Sequence, residues 1–168
     1  MEKFQLLKEE ALKNYRMADH MLNVTYPLVH DTKLLLGVAD NLFLALTHTL
    51  GSILHYEFNF KRVPSFEDNF DSKLRVFRQD CLHRYKIRKE YIDLMKEMKE
   101  IILLHKTSPV EFRRKDRFVI CTDKYQIKAI TVNQLKSYLL KTKEFMSIAE
   151  MITKKNESMY LKDRLKSV

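Results

Sequence analysis

Glycine, proline, cysteine and tryptophan are all scarce in this chain. Its 168 residues include two glycines, three prolines, two cysteines and no tryptophan. So few glycines and prolines leave little material for the turns of a many-stranded sheet, which favours long helices. Cys81 and Cys121 do not form a paired-spacing motif, so we expect neither a disulfide framework nor a zinc site.

Several common functional motifs are also missing. The two isolated glycines cannot build a phosphate-binding loop, and the chain has no GxSxG, HxxxH or HExxH string. We therefore expect no cofactor and no metal, with a metal site assembled from histidines of different helices as the alternative. No run reaches 18 apolar residues and the N-terminal stretch MEKFQLLKEE is charged, so we expect a cytoplasmic protein with no membrane segment.

The net charge of +9 is unevenly distributed along the chain. Residues 1–58 carry five Lys/Arg and seven Asp/Glu, whereas residues 59–168 carry 26 and 15. A basic face of this kind attracts phosphates, nucleic acid or acidic protein surfaces. The alternative is a lysine-rich surface that serves only solvation.

Apolar periodicity predicts one domain over residues 1–168 with a mostly all-α fold. We expect an up-down four-helix bundle of long helices with a small β-hairpin insertion before the last helix. The third helix is expected to be bent or broken near residues 85–89, and the segment 25–30, which contains Pro27, is expected to break the helical structure after the first helix. The predicted helices cover residues 3–23, 31–58, 70–106 and 131–153, the hairpin covers residues 118–130, and residues 154–168 form a tail that frays or docks on a partner.

The second predicted helix is the centre of the fold, because it is apolar on nearly all sides. Asp31 is placed to cap its first turn. Gly37 and Gly51 are 14 residues apart, close to four turns, so both lie on one side and indicate the close approach of another helix. A polar stripe on the same helix is expected to be satisfied by its neighbours, and it consists of Asn41, His48, Ser52 and His55.

Two clusters of basic residues are the strongest functional signal. The first lies on the third helix and comprises Arg75, Arg78, Arg84 and Arg88, with Phe77 and Tyr85 nearby. The second precedes the hairpin and comprises Arg113, Arg114, Lys115 and Arg117. Arginine suits phosphate oxygens and aromatic rings can stack on unpaired bases, so single-stranded RNA or a nucleotide is the predicted ligand. Whether the two clusters converge is left open by the sequence.

The order of helices resembles the HEPN superfamily of small helical bundles. The resemblance rests on a first helix containing EEALKNYRMADHML, an apolar second helix containing LLLGVADNLFLALTHTLGSILHYE, and long third and last helices. It implies an RNA-binding or partner-binding protein of a defence or toxin–antitoxin system, often dimeric. HEPN ribonucleases carry Arg, four to six residues and His near the junction of the last two helices, and no histidine follows His105 here.

One string with that nuclease spacing lies elsewhere, at the start of the third helix. It joins Arg78 to His83, and one such match is expected by chance in a chain with this many arginines and histidines. We therefore expect binding of RNA or nucleotide phosphate without cleavage. The alternatives are a protein–protein interaction or homodimerisation module, and a ribonuclease that uses Arg78 and His83.

Overall fold

The computed structural model describes residues 1–108, 110–114 and 116–166, with side chains described up to Lys154 apart from those of Val110 and Phe112. Within these residues the chain is mostly helical, and one small antiparallel sheet precedes the last helix. This confirms the predicted mostly-α class. The helices are α1 (Lys3–His20), α2 (Tyr26–Val29), α3 (Lys33–Asn59), α4 (Phe70–Val76), α5 (Glu90–Thr107) and α6 (Val132–Lys166), and the strands are β1 (Val110–Arg114), β2 (Arg117–Cys121) and β3 (Ile127–Thr131).

The first helical segment continues beyond its predicted end at residue 23. A π-helical turn over Met21–Thr25 joins α1 to α2, so the break predicted over residues 25–30 is wrong for all but its last residue. The backbone hydrogen-bonding pattern changes from α-helical to π-helical in this turn. Pro27 has no backbone N–H, but it lies just after the turn, so its missing hydrogen bond does not interrupt a continuous α-helix. The helix ends at His30, whose backbone is left-handed with φ of 53°.

The glycines of α3 allow α1 and the π-helical turn to approach closely. A Cβ at Gly37 would lie 2.4 Å from Cε of Met21, and a Cβ at Gly51 would lie 3.2 Å from Cδ1 of Leu7. The close approach predicted from the spacing of the two glycines is therefore confirmed.

α3 is long and apolar enough to span a membrane by length and composition. Its most apolar window has a mean hydropathy of 1.4, and half of that window is buried inside the protein. The buried side packs against α1, α5 and α6 of the same chain. Asp31 Oδ1 accepts a hydrogen bond from the backbone N–H of Lys33 (3.0 Å), as its position before the helix predicts.

A continuous helix over residues 70–106 is wrong, but the break predicted near residues 85–89 is confirmed, because a turn there separates two helices. α4 passes into a π-helical turn over Phe77–Cys81, and an irregular turn then leads to α5. Lys86 in this turn has a left-handed backbone, with φ of 51°. The tertiary reason for the break is that Arg84 turns back to form an ion pair with Glu57 of α3.

The insertion before α6 has three strands, where a two-stranded hairpin over residues 118–130 was expected. The additional strand β1 pairs with β2, placing Glu111 opposite Ile120 and Arg113 opposite Phe118. β1 is an edge strand, and edge strands tolerate charged residues that central strands do not. The charged residues of β1 are the reason why the sequence did not predict a strand there.

α6 begins as its sequence predicts and continues further. Thr131 Oγ1 accepts a hydrogen bond from the backbone N–H of Gln134 (3.1 Å), although the Gln134 side chain donates to the Tyr138 hydroxyl (2.6 Å) and does not complete a capping box. The helix continues to Lys166, so the predicted fraying from residue 154 is wrong; no proline or glycine is present there to end it. Of the side chains predicted to face inward, Met146 is partly exposed and the others are buried, namely Leu135, Tyr138, Leu139, Thr142, Phe145, Ala149 and Ile152.

Two pairs of long helices run antiparallel. α1 lies along α3, and α5 lies along α6, with residues from opposite ends of each pair in contact. The contacts that give these directions are Phe4 with Tyr56 and Asn14 with His48 in the first pair, and Tyr91 with Phe145 and Glu97 with Gln134 in the second.

Candidate nucleic-acid interface

The two basic clusters are anchored at opposite ends of α3. Arg84 of the first cluster forms an ion pair with Glu57 near the end of α3. Arg113 of the second forms an ion pair with Asp31 just before α3 begins (3.1 Å). At about 1.5 Å of rise per residue, the two anchoring carboxylates are on the order of 40 Å apart. Arg84 and Arg113 therefore lie far apart.

Arg75 and Arg78 share an open cleft on the outside of α4 and its π-helical turn. The cleft has a volume of about 380 Å³ and is also lined by Asp71, Leu74 and Gln79. Both arginines are exposed, and within the described part of the chain neither forms a hydrogen bond or an ion pair. The Asp71 carboxylate is instead paired with Lys99 (3.0 Å). The cleft thus presents two positive charges that the protein itself does not neutralise.

Arg84 belongs to a different environment, a network around a fully buried carboxylate. The Glu57 side chain is 0% exposed and accepts hydrogen bonds from Arg84, from the Tyr85 hydroxyl and from Arg62 (3.4 Å). Burial, together with the nearby Glu57 charge, raises the pKa of the Cys81 thiol to about 12. Cys81 therefore stays protonated near neutral pH. The ion pair of Arg84 with Glu57 fastens the turn that follows α4 to α3.

Arg88 is also paired within the protein. Its guanidinium lies 2.7 Å from a Glu90 oxygen and 3.5 Å from a Glu144 oxygen, and it donates a hydrogen bond to the Tyr91 hydroxyl (3.1 Å). These contacts join α5 to α6. Of the four arginines in the first cluster, the two in the cleft are the ones without a charged partner among the residues that the structure describes.

The aromatic residues near the first cluster both make contacts within the protein. Phe77 is 0% exposed and packs edge-on against Phe145 at 5.9 Å between ring centroids. The Tyr85 hydroxyl donates to Glu57, and burial with this hydrogen bond raises the pKa of Tyr85. The base stacking predicted for Phe77 is therefore wrong, because that ring is fully buried, whereas Tyr85 is half-buried.

The second cluster lies on the hairpin between β1 and β2. Arg114 and Arg117 are directly opposite each other in the strand pair, and Arg117 is exposed. The intervening turn is tied to α2, since the Tyr26 hydroxyl donates to Asp116 (2.8 Å). Lys115 lies outside the described residues. This surface is anchored to the body of the protein at the Arg113 and Asp116 side chains.

Arg78 and His83, the candidate catalytic pair, lie in different surroundings. Arg78 lies in the π-helical turn and lines the cleft, whereas His83 is exposed on the following turn and is not among the cleft-lining residues. Within the described residues no hydrogen bond joins their side chains.

The polar stripe of α3 is largely satisfied inside the protein. Asn41 and Ser52 donate to carbonyl oxygens of their own helix, at 2.9 Å and 2.7 Å. His48 Nδ1 lies 3.3 Å from the Asn14 side-chain amide of α1, and the His55 ring meets Phe66 at 5.1 Å between centroids. Asn41 also donates to the Met21 sulfur of the π-helical turn (3.7 Å), so Asn41 and His48 both contact a neighbouring helical segment as predicted.

The two histidines of this stripe predict an acid-sensitive fold. Burial lowers the pKa of His48 and of His55 below the ordinary 6.5, so the unfolded chain binds protons that the folded chain does not. Their stabilising contribution is complete above pH 6.5 and is lost as pH falls through the folded pKa values. We expect urea midpoints to decrease as the pH falls below about 6.5. An equal decrease in the His48→Gln/His55→Gln variant would contradict this assignment.

The sequence did not identify Glu57 as the residue that takes Arg84 out of the binding surface. The available signal was an acid near the end of a largely apolar helix, which must find a cation when it is buried. Asp71 and Gln79 of the cleft carried no signal, because exposed polar residues at helical spacing are ordinary.

Comparisons with known proteins do not extend this description. The chain matches no protein-family model, and no curated protein or solved structure shows significant similarity to it. The case for a function therefore rests on the geometry of the cleft and of the hairpin.

Proposed function

We propose that this chain binds RNA or a nucleotide phosphate, without cleaving it, through Arg75 and Arg78. The observation that carries the proposal is the contrast between these two arginines and the rest of their cluster. Arg84 and Arg88 are held by carboxylates of the same chain, whereas the two cleft arginines have no such partner among the described residues. A guanidinium in this state offers its fork of donors to phosphate oxygens.

The spacing of the two arginines suits a flexible phosphate backbone. Side chains three residues apart on a helix lie on one face, with Cβ atoms about 5–6 Å apart. The cleft is open and falls within the usual size range of small-ligand sites, which favours a single strand or a nucleotide over a duplex. Because Phe77 is buried and the hydroxyl of half-buried Tyr85 is bound to Glu57, we expect phosphate contacts to supply most of the affinity.

The architecture we infer for this binding protein is a HEPN-like up-down bundle of α1, α3, α5 and α6. The antiparallel course of α1 along α3 and of α5 along α6 supports this arrangement. The same resemblance supports a cytoplasmic role in a defence or toxin–antitoxin system. The turn after α4 and the three-stranded sheet are present in addition to these four helices.

Charge reversal in the cleft is expected to remove most of the RNA affinity. The Arg75→Glu/Arg78→Glu variant should bind a short single-stranded RNA at least tenfold more weakly in fluorescence polarisation. Loss of two phosphate contacts should reduce the slope of log K against log salt by about 1.4. The matched control is Lys124→Glu/Lys136→Glu, which changes the net charge equally at two exposed lysines outside both clusters.

The remaining variants distinguish the other assignments. An unchanged affinity and salt slope in the cleft variant would show that these arginines do not bind RNA. A loss confined to Arg113→Glu/Arg114→Glu would move the site to the hairpin. Cleavage of structured RNA that disappears in His83→Ala would overturn the non-catalytic proposal and support the alternative ribonuclease.

The second candidate function is a homodimerisation or protein-interaction module. It is favoured by a separate observation, the unpaired outer edge of β1. That edge also suggests a particular partner.

A further inference from the structure

β1 forms one end of the sheet. The strand order is β1-β2-β3, and among the described residues no strand pairs with the far side of β1. In an antiparallel pair, alternate backbone N–H and C=O groups point away from the neighbouring strand. The outer edge of β1 therefore presents backbone donors and acceptors that can pair with another strand.

The sequence of β1 is complementary to itself. When two copies of VEFRR are aligned antiparallel about Phe112, Glu111 of each copy lies opposite Arg113 of the other. The sheet register supports a shared face for these residues, since Glu111 and Arg113 lie opposite Ile120 and Phe118, which are both buried. Opposed residues of an antiparallel pair point to the same face, so the two unlike charges would meet twice in each pair of strands.

Both charged side chains are already held close to this position. Glu111 forms an ion pair with His105 (2.6 Å) and Arg113 forms one with Asp31 (3.1 Å). Their side chains nevertheless remain 27% and 47% exposed, so each can accept a second partner. The entropic cost of ordering them on association is thereby reduced.

We propose that β1 binds the same edge of a second copy of this chain, forming a two-fold dimer with a continuous six-stranded sheet. The occupant is a second copy because the charge pattern of this strand matches its own reverse. The two-fold contact uses the same edge of both copies, so it closes at two chains and does not propagate into a fibre. This inference is independent of RNA binding in the cleft, because it involves none of the cleft-lining residues.

The test uses complementary charge changes in trans. Wild-type chain should sediment as a concentration-dependent dimer in analytical ultracentrifugation. Glu111→Arg places Arg opposite Arg, and Arg113→Glu places Glu opposite Glu, so each single variant should dimerise at least tenfold more weakly. A mixture of the two variants restores both unlike pairs and should form a heterodimer. The double variant Glu111→Arg/Arg113→Glu should likewise recover dimerisation with itself.

The controls separate association from folding. Lys124→Glu, on the turn between β2 and β3, should dimerise as the wild type does. Circular dichroism checks that each variant is folded; if a charge reversal unfolds the chain, Glu111→Gln and Arg113→Gln should still weaken dimerisation. A monomeric wild type at all accessible concentrations, single variants that dimerise normally, or a mixture that does not associate would each overturn the proposal.

Discussion

Replacing Arg84 with Met is expected to lower the free energy of unfolding by about 2–3 kcal/mol. The substitution keeps most of the aliphatic length but leaves the Glu57 carboxylate without its principal cation. Breaking a buried ion pair costs on the order of 3–5 kcal/mol when one charge is left unpaired. We place the effect below that range because the Arg84 side chain is 36% exposed and Arg62 can still reach the carboxylate. Urea denaturation with a constant m-value would measure it.

The matched control is Arg88→Met, four residues along the same turn. The Arg88 side chain is 65% exposed, and exposed ion pairs contribute little to stability. We expect its unfolding midpoint to remain close to that of the wild type. Equal midpoints for Arg84→Met and Arg88→Met would mean that the Glu57 network does not stabilise the fold. If so, Arg84 would again be a candidate for phosphate binding.

This comparison also shows why the sequence overestimated the first basic cluster. Arg75, Arg78, Arg84 and Arg88 recur at intervals that helical periodicity reads as one basic segment. Only the tertiary contact with Glu57, some 27 residues earlier in the chain, separates Arg84 from the cleft. Local spacing carries no information about that contact. The position of Glu57 in a largely apolar helix could have suggested that it needs a cation, but not which one.

The elements that were predicted well are those set by local apolar periodicity. The inward face of α6 follows from side chains recurring every three or four residues, and the glycine spacing of α3 follows from the helical repeat. The strand β1, in contrast, depends on pairing with β2, and the left-handed residue in the break after α4 was not predicted. Nothing in the residues around Lys86 requires a left-handed backbone, and the charged residues of β1 conceal an edge strand.

The second large effect is expected at Phe145, where three aromatic rings meet behind the cleft. Phe145 is 0% exposed; its ring lies 5.4 Å from the stacked ring of Tyr91 and 5.9 Å from the edge-on ring of Phe77. It therefore links α6 both to α5 and to the π-helical turn that carries Arg78. Truncation of a buried phenylalanine to alanine costs about 3–5 kcal/mol, because the lost burial is accompanied by a cavity.

We accordingly expect Phe145→Ala to lower the free energy of unfolding by about 4 kcal/mol, measured by urea denaturation. Phe145→Leu fills most of the same space and should lose less than half as much. The control is Leu140→Ala on the same helix, where the side chain is 60% exposed and the change should stay within about 0.5 kcal/mol. A loss below about 2 kcal/mol in Phe145→Ala would mean that the three rings do not form a packed unit. Because Phe77 immediately precedes Arg78, the π-helical turn should then also lack a rigid support, and the spacing of the two cleft arginines would no longer be fixed for a phosphate ligand.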